Sequence, residues 1–135
     1  MNHRISEPTL QLMSNTLDLR GKLTSLQFSS LQMKRFYYIK SEPELGNRGN
    51  HAHKLLTQIM FSISGTWSVS LTSNGATKEY QLVEDSNCLI IPPGYWRVFK
   101  SLSTNSILGV LADEIYDESD YIRDFQEFEV WEKNN

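Results

Sequence analysis

Cysteine, long apolar runs and excess charge are all scarce in this 135-residue sequence. Its single cysteine, Cys88, excludes an intramolecular disulfide, which fits a reducing compartment. No apolar run approaches the roughly 20 residues that cross a bilayer, and Met1 to Leu10 lack the apolar centre of a signal peptide. The net charge of -3 does not favour a general nucleic-acid role. We therefore expect a soluble cytoplasmic protein that binds neither membranes nor nucleic acids.

The length and composition are those of one ordinary globular domain. Hydrophobic residues make up 39% of the chain and charged residues 21%. No linker, repeat or low-complexity tract divides the sequence, so we expect a single domain over residues 1–135.

Short strands separated by turns dominate the pattern. Ser73-Asn74-Gly75 reads as a hairpin turn, and many short strands of this kind are typical of a β-sandwich or barrel. Only the tail looks helical. Asp117 to Asp120 could cap the N-terminus of a short helix that begins with Tyr121 to Phe125. The strand candidates are Leu23 to Phe28, Met33 to Ile39, Thr57 to Ser64, Thr66 to Thr72, Lys78 to Val83, Cys88 to Ile91, Trp96 to Lys100 and Ser106 to Leu111.

The pair His51-Ala52-His53 is the most informative stretch for chemistry. On a strand, positions i and i+2 point to the same face, so both imidazoles would project together, into a barrel mouth or out to solvent. A histidine titrates near neutral pH, which suits it to acid–base work. The alternative is an exposed polar strand edge.

The spacing around this pair resembles the first motif of the cupins. His51, His53, Gln58 and Gly65 fall at the motif positions, and Pro92 to Arg97 resemble the second motif. The resemblance implies an all-β, single-domain cupin, a double-stranded β-helix or jelly-roll barrel, here with a short C-terminal helix.

Two departures from the cupin pattern argue against a metal. A metal-binding cupin has a glutamate and a third histidine as ligands, whereas this chain has Gln58 and Arg97 at those positions. Glutamine is a poor ligand and arginine repels cations, so too few ligands remain. We expect no metal and no other cofactor, and we disfavour a metal-dependent dioxygenase.

A closer resemblance is to the sugar 3,4-ketoisomerases described as WxcM-like or FdtA-like. Three ordered motifs, Lys34 to Ile39, Arg48 to Lys54 and Leu111 to Arg123, carry it. It implies action on dTDP-4-keto-6-deoxyglucose, whose ketone moves from C4 to C3, and homodimers that exchange N-terminal strands. Asn50 and Arg97 depart from residues common in that family, which leaves the galacto or gluco outcome at C4 open.

Ketone migration through an enediol needs proton carriers and groups that bind the sugar nucleotide. We assign His53 as the carbon base and His51 as the proton shuttle between oxygens, although the two roles could be swapped. Tyr37 or Tyr38 is expected to donate to the sugar oxygens, and period 2 allows only one to point inward. Arginines bind diphosphates well. The expected substrate contacts are Arg20, Arg35, Tyr38, Arg48, Gln58, Trp96 and Arg97. We expect Asp117, Glu118 and Asp120 to cap a helix.

Two other functions fit the same residues less well. A cupin dTDP-sugar 3,5-epimerase shares histidine-based deprotonation but inverts stereocentres without moving the ketone. A non-catalytic nucleotide-sugar-binding cupin would not need closely paired histidines.

Overall fold

A computed structural model describes residues 5–135, and strands account for most of them. Single-turn 3-10 helices occupy Pro43–Leu45 and Glu118–Asp120. In chain order the longer elements are β1 (Thr9–Leu12), β2 (Ser14–Asp18), β3 (Gly21–Ser25), β4 (Arg35–Ser41), β5 (Arg48–His53), β6 (Gln58–Ser64), β7 (Thr66–Ser73), β8 (Ala76–Val83), β9 (Asn87–Ile91), β10 (Trp96–Ser101), β11 (Ser106–Ala112), β12 (Tyr121–Ile122) and α1 (Phe125–Lys133).

Two five-stranded antiparallel sheets form a jelly-roll-like sandwich. One sheet has the order β1-β9-β6-β11-β4 and the other has the order β12-β5-β10-β7-β8. Alternate side chains of both sheets meet in the centre, as the strand period of two requires. The all-β cupin-type fold predicted from the sequence is confirmed. The apolar centre contains Met60, Trp67, Val69, Leu71, Leu82, Leu89, Ile91, Phe99, Leu108 and Val110.

The predicted hairpin turn is confirmed between β7 and β8. Ser73 pairs with Ala76, so Asn74 and Gly75 form a two-residue turn. Both have positive φ, 51° and 76°, which asparagine and glycine tolerate best.

The tail differs from the sequence-based prediction, because its helix begins later. Asp117 caps the 3-10 turn, its side chain accepting from the amide of Ser119. Tyr121–Ile122 is extended and pairs with β5, so the predicted helix at this point is wrong. The helix starts at Phe125, where the Asp124 carboxylate accepts from two backbone amides.

The two faces of the sandwich are covered by the ends of the chain. Helix α1 buries Phe128 against Ala52, Trp96 and Ile122, on the outer side of the second sheet. On the first sheet, the segment after β3 packs Leu26, Phe28, Leu31 and Met33 against Ile59, Cys88 and Ile90. The predicted strand bounds are wrong in this region. The structure has a strand at Gly21–Ser25 where Leu23 to Phe28 was predicted, and β4 starts at Arg35 instead of Met33.

The N-terminal strands bear on the expected dimer. In this single chain β1 pairs with β9 of the same chain, and β2 with β3 forms a separate exposed hairpin. The homodimer and its exchange of N-terminal strands stay predictions. Within residues 5–135 the helices are too short and too polar to cross a bilayer.

Phe128 tests the packing of helix α1, because its side chain is 1% exposed. We expect Phe128→Ala to lower the free energy of unfolding by about 3 kcal/mol or more, as deletion of a buried aromatic side chain does. Val130→Ala, on the exposed side of the same helix, is the matched control and should change it by less than about 1 kcal/mol. Equal losses in denaturant titrations would show that the helix is not held by this contact.

Candidate active site

Strand β5 carries the two histidines on its inner face. The rings of His51 and His53 have centroids 4.9 Å apart and meet edge to face. Both side chains are buried, with 9% and 1% exposed respectively. The structure thus brings the two imidazoles side by side inside the sandwich, at the end of the strand that is flanked by β10 and β12.

A bulge just before the histidines sets their direction. Arg97 pairs with His51 but Val98 pairs with Gly49, so Asn50 is an extra residue on β5. Gly49 and Asn50 have φ of 93° and 55°. A Cβ on Gly49 would lie 2.8 Å from the carbonyl oxygen of Arg97, so both the turn and the close approach require glycine here.

Burial keeps both histidines neutral. Burial first, and then the nearby Arg97 guanidinium, lowers the pKa of His51 to about 4. The same two causes, in the same order, lower the pKa of His53 well below its ordinary value. At neutral pH both imidazoles therefore have a lone pair available to accept a proton.

A hydrogen-bonded chain crosses from one sheet to the other beneath the histidines. The amide of Gln58 donates to the hydroxyl of Tyr37 at 3.1 Å, and Arg97 Nη1 donates to Gln58 Oε1 at 2.7 Å. Arg97 Nη2 donates to the carbonyl of Tyr95 at 3.1 Å. The sequence pattern does not predict this chain, because its members come from β4, β6 and β10.

Arg97 is wholly buried, with 0% exposure. Burial lowers its pKa to about 10, so it stays protonated at neutral pH. In the described part of the chain no carboxylate forms an ion pair or hydrogen bond with it. A positive charge without a direct carboxylate partner in a low-dielectric interior favours a ligand that is negative or becomes so.

Asp120 is a site residue that sequence reasoning missed. Its Oδ2 lies 3.0 Å from His53 Nδ1, and its Oδ1 accepts from the amide of Leu55 at 2.8 Å. The prediction that Asp120 caps a helix is wrong, because β12 turns its side chain toward β5. Only Asp117 of the three acidic residues caps, and Glu118 pairs with Arg123.

Tyr121 covers the histidines and was also missed. Its ring centroid lies 4.3 Å from that of His53 and 5.0 Å from that of His51. Arg123 stacks on its ring at 4.1 Å, and Tyr116 packs beside it at 5.6 Å. Because a helix was expected at Tyr121, its contact with the histidines was not predicted, although the residue lies in the third motif of the sequence.

An adjoining cavity of about 200 Å³ opens beside His53. Its wall includes Arg35, Leu55, Tyr116, Asp120 and Tyr121. A ligand in this cavity would reach the buried imidazole from the side where the chain turns from β11 to β12.

Comparison with known proteins decides the family. The family described as FdtA, "WxcM-like, C-terminal", matches residues 6–133. The chain belongs to this family. The membership predicted from the three sequence motifs is confirmed.

Relatives of the FdtA family extend over almost the whole chain. TDP-4-oxo-6-deoxy-alpha-D-glucose-3,4-oxoisomerase of Aneurinibacillus thermoaerophilus is 32% identical over 118 residues, 85% of each chain. A His-to-Asn variant of the 3,4-ketoisomerase QdtA from Thermoanaerobacterium thermosaccharolyticum, solved with TDP-4-keto-6-deoxyglucose, is 29% identical with a TM-score of 0.88 over 98% of both chains. The WlaRB TDP-quinovose 3,4-ketoisomerase of Campylobacter jejuni is 32% identical with a TM-score of 0.83, over 92% of this chain and 98% of that one.

Six of the residues predicted for this FdtA-family site lie together: the two histidines and four residues around them. Tyr37 points inward from β4, so the choice left open between the two tyrosines falls on Tyr37. Arg35 stacks over the Tyr37 ring at 4.6 Å and also lines the cavity. The others, Gln58, Arg97 and the histidines themselves, meet from three different strands.

Four predicted substrate contacts lie elsewhere in the described chain. Tyr38 faces outward beside Phe36 and is half exposed, as alternation requires once Tyr37 points inward. Trp96 lies on the outer face of β10 and packs on Phe128 instead of the site. Arg20 is exposed on the β2–β3 hairpin and pairs with Asp18, and Arg48 is exposed on β5. Within the described chain none of these four side chains lines the pocket, and a substrate contact of Arg20 through the predicted strand exchange stays a prediction.

The donor set near the histidines does not suit a metal. Gln58 is held by Tyr37 and Arg97, and the Arg97 guanidinium occupies the space of a further ligand. Among residues 5–135 no three His, Cys, Asp or Glu side chains gather closely enough to hold an ion. A metal-free site stays a prediction on these grounds.

The lowered pKa of His51 makes stability depend on pH. The unfolded chain protonates this histidine near the ordinary pKa of 6.5 and the folded chain only near 4, so the protein loses stability as pH falls through this window. The lowered pKa of His53 acts in the same direction, so we expect His51→Gln to lose less stability than the wild type from pH 7 to pH 5, by on the order of 2 kcal/mol. Urea titrations at the two pH values measure it, and an equal loss in both proteins would assign it to other groups.

Proposed function

We propose that the protein moves the ketone of dTDP-4-keto-6-deoxyglucose from C4 to C3 and so forms a dTDP-3-keto-6-deoxyhexose. The observation that carries the proposal is a pair of buried, neutral imidazoles beside a buried guanidinium. The named 3,4-oxoisomerase and 3,4-ketoisomerases of this family support the same reaction class.

The reaction is an internal proton transfer and needs no outside oxidant. The C4 carbonyl acidifies the C3 proton, and a base removes it to leave an enediolate. The proton returns to C4, while the hydroxyl proton passes from O3 to O4, so the C3 ketone forms as the C4 ketone disappears. Two histidines within one pocket supply both transfers, His53 at carbon and His51 between the oxygens.

Arg97 supplies the electrostatic part of this proposal. Its charge is preorganised and buried, so it stabilises an enediolate more than the neutral ketone. The side-chain oxygen of Gln58 accepts a hydrogen bond from the guanidinium, and its NH2 donates one to the hydroxyl of Tyr37. Burial raises the pKa of Tyr37, which therefore stays a neutral hydroxyl that donates to a sugar oxygen.

The diphosphate of the substrate is negatively charged, so a cationic side chain is expected near the cavity. Arg35 is the predicted arginine that lines it, and we assign to it the diphosphate contact. The homodimer with exchanged N-terminal strands and the cytoplasmic location are part of the proposal and rest on family resemblance and composition.

His53→Asn tests the catalytic assignment. We expect it to fold as the wild type and to lose about 10²–10⁴-fold in rate, because one positioned general base contributes that much. Proton NMR in D2O measures exchange at substrate C3 and identifies the product. Tyr38→Phe, on the outward face of β4, is the matched control and should keep full activity.

The same spectra separate the alternatives. Inversion of a stereocentre with the ketone still at C4 would indicate a 3,5-epimerase, and binding without turnover would indicate a non-catalytic protein. Wild-type activity in His53→Asn would remove that residue from the carbon-base role.

Metal removal tests the cofactor-free site. The rate after treatment with a chelator and dialysis should equal the rate before it, because Gln58 and Arg97 leave too few ligands for an ion. Elemental analysis of the dialysed protein is the control. A rate that collapses and returns on addition of a divalent ion would overturn this prediction.

A further inference from the structure

We propose that Asp120 is a positioning residue that holds the proton of His53 on Nδ1 and so leaves Nε2 as the atom that accepts the substrate proton. The inference rests on the proposed function and adds to it a residue and an atom.

The Asp120 carboxylate is fixed on both of its oxygens. Oδ1 accepts from the amide of Leu55 at 2.8 Å, and Oδ2 faces His53 Nδ1 at 3.0 Å. The backbone is fixed too, because the amide of Lys54 donates to the carbonyl of Asp120 at 3.0 Å. Its neighbour Tyr121 pairs with His53 across β12 and β5. The carboxylate therefore has little freedom to turn away from the imidazole.

This contact determines the tautomer of His53. A carboxylate only accepts hydrogen bonds, and the imidazole is neutral, so the single ring proton must lie on Nδ1. The lone pair then lies on Nε2, which is buried and has no hydrogen-bond partner within residues 5–135. An unpartnered, unprotonated nitrogen on a histidine that lines a cavity is poised to take a proton from a ligand.

His51 has no such partner, and the contrast separates the two roles. Neither of its ring nitrogens has a hydrogen-bond partner in the described chain. No carboxylate in the described chain holds the tautomer of His51, which suits proton transfer between two oxygens. His53, with one tautomer held, suits the carbon base, so Asp120 decides the assignment that the sequence left open.

Asp120→Asn reverses the hydrogen bonding without removing bulk. The Leu55 amide donates to Oδ1 at 2.8 Å, so we expect the new side chain to keep its oxygen toward Leu55 and to turn its NH2 to His53. Nδ1 must then accept, and the ring proton moves to Nε2. In serine-protease triads the equivalent change lowers kcat about 10⁴-fold because the histidine holds the wrong tautomer.

The experiment combines a tautomer measurement with kinetics. Long-range 1H–15N spectra of protein labelled with 15N-histidine report which ring nitrogen is protonated, with His53 assigned by comparison with His53→Asn. We expect Nδ1 protonated in the wild type and Nε2 protonated in Asp120→Asn. We expect kcat for ketone migration to fall about 10³–10⁴-fold in Asp120→Asn, with KM changed by less than about threefold.

Asp117→Asn is the matched control. It changes an exposed carboxylate three residues away that caps the same segment, so it reports any loss caused by loosening of that segment. We expect it to keep the wild-type tautomer and kcat within about threefold. If Asp120→Asn does not fold, Asp120→Glu keeps a carboxylate and should keep Nδ1 protonated.

The outcomes separate this inference from the proposed function. An unchanged tautomer or an unchanged kcat in Asp120→Asn would overturn the role of Asp120, as would an equal loss in Asp117→Asn. A wild-type protein without isomerase activity would overturn the proposed function, while the spectra would still show whether Asp120 holds the His53 tautomer.

Discussion

A single buried positive charge constrains the whole site. Arg97 lies wholly inside the protein, and its hydrogen bonds go to an amide oxygen and a backbone carbonyl instead of a carboxylate. Burying a charge with such partners is costly, and the cost falls once a ligand brings negative charge beside it. Burial first, and then the same charge, lowers the pKa of His51 and of His53 and keeps both unprotonated. Arg97 therefore supports the neutral bases and also favours a negatively charged ligand.

The fold places these groups by bringing distant strands together. Tyr37, Gln58 and Arg97 lie on β4, β6 and β10, in two different sheets whose inner faces meet. The bulge at Gly49 turns the histidines toward them. Helix α1 and the segment after β3 cover the outer faces, so the polar groups lie in a buried interior where their interactions are strong.

The strand that closes the site comes from the part of the chain hardest to interpret. Acidic residues before Tyr121 suggested a capped helix, but pairing with β5 made Tyr121–Ile122 a strand. Propensity is a weak guide where a neighbouring strand offers unpaired backbone groups. That pairing placed Asp120 and Tyr121 against His53, and neither contact has a local signal in the sequence.

The sequence by itself determined the fold class, the strand-rich centre, the family and the pairing of His51 with His53, because these depend on local alternation and on motif spacing. It also showed that only one of Tyr37 and Tyr38 can point into the pocket. Tertiary structure decided which tyrosine that is, placed Tyr38, Trp96, Arg20 and Arg48 away from the pocket of this chain, and brought Asp120 to His53. Those outcomes depend on register, bulges and side-chain direction, which are set by contacts between residues far apart in the chain.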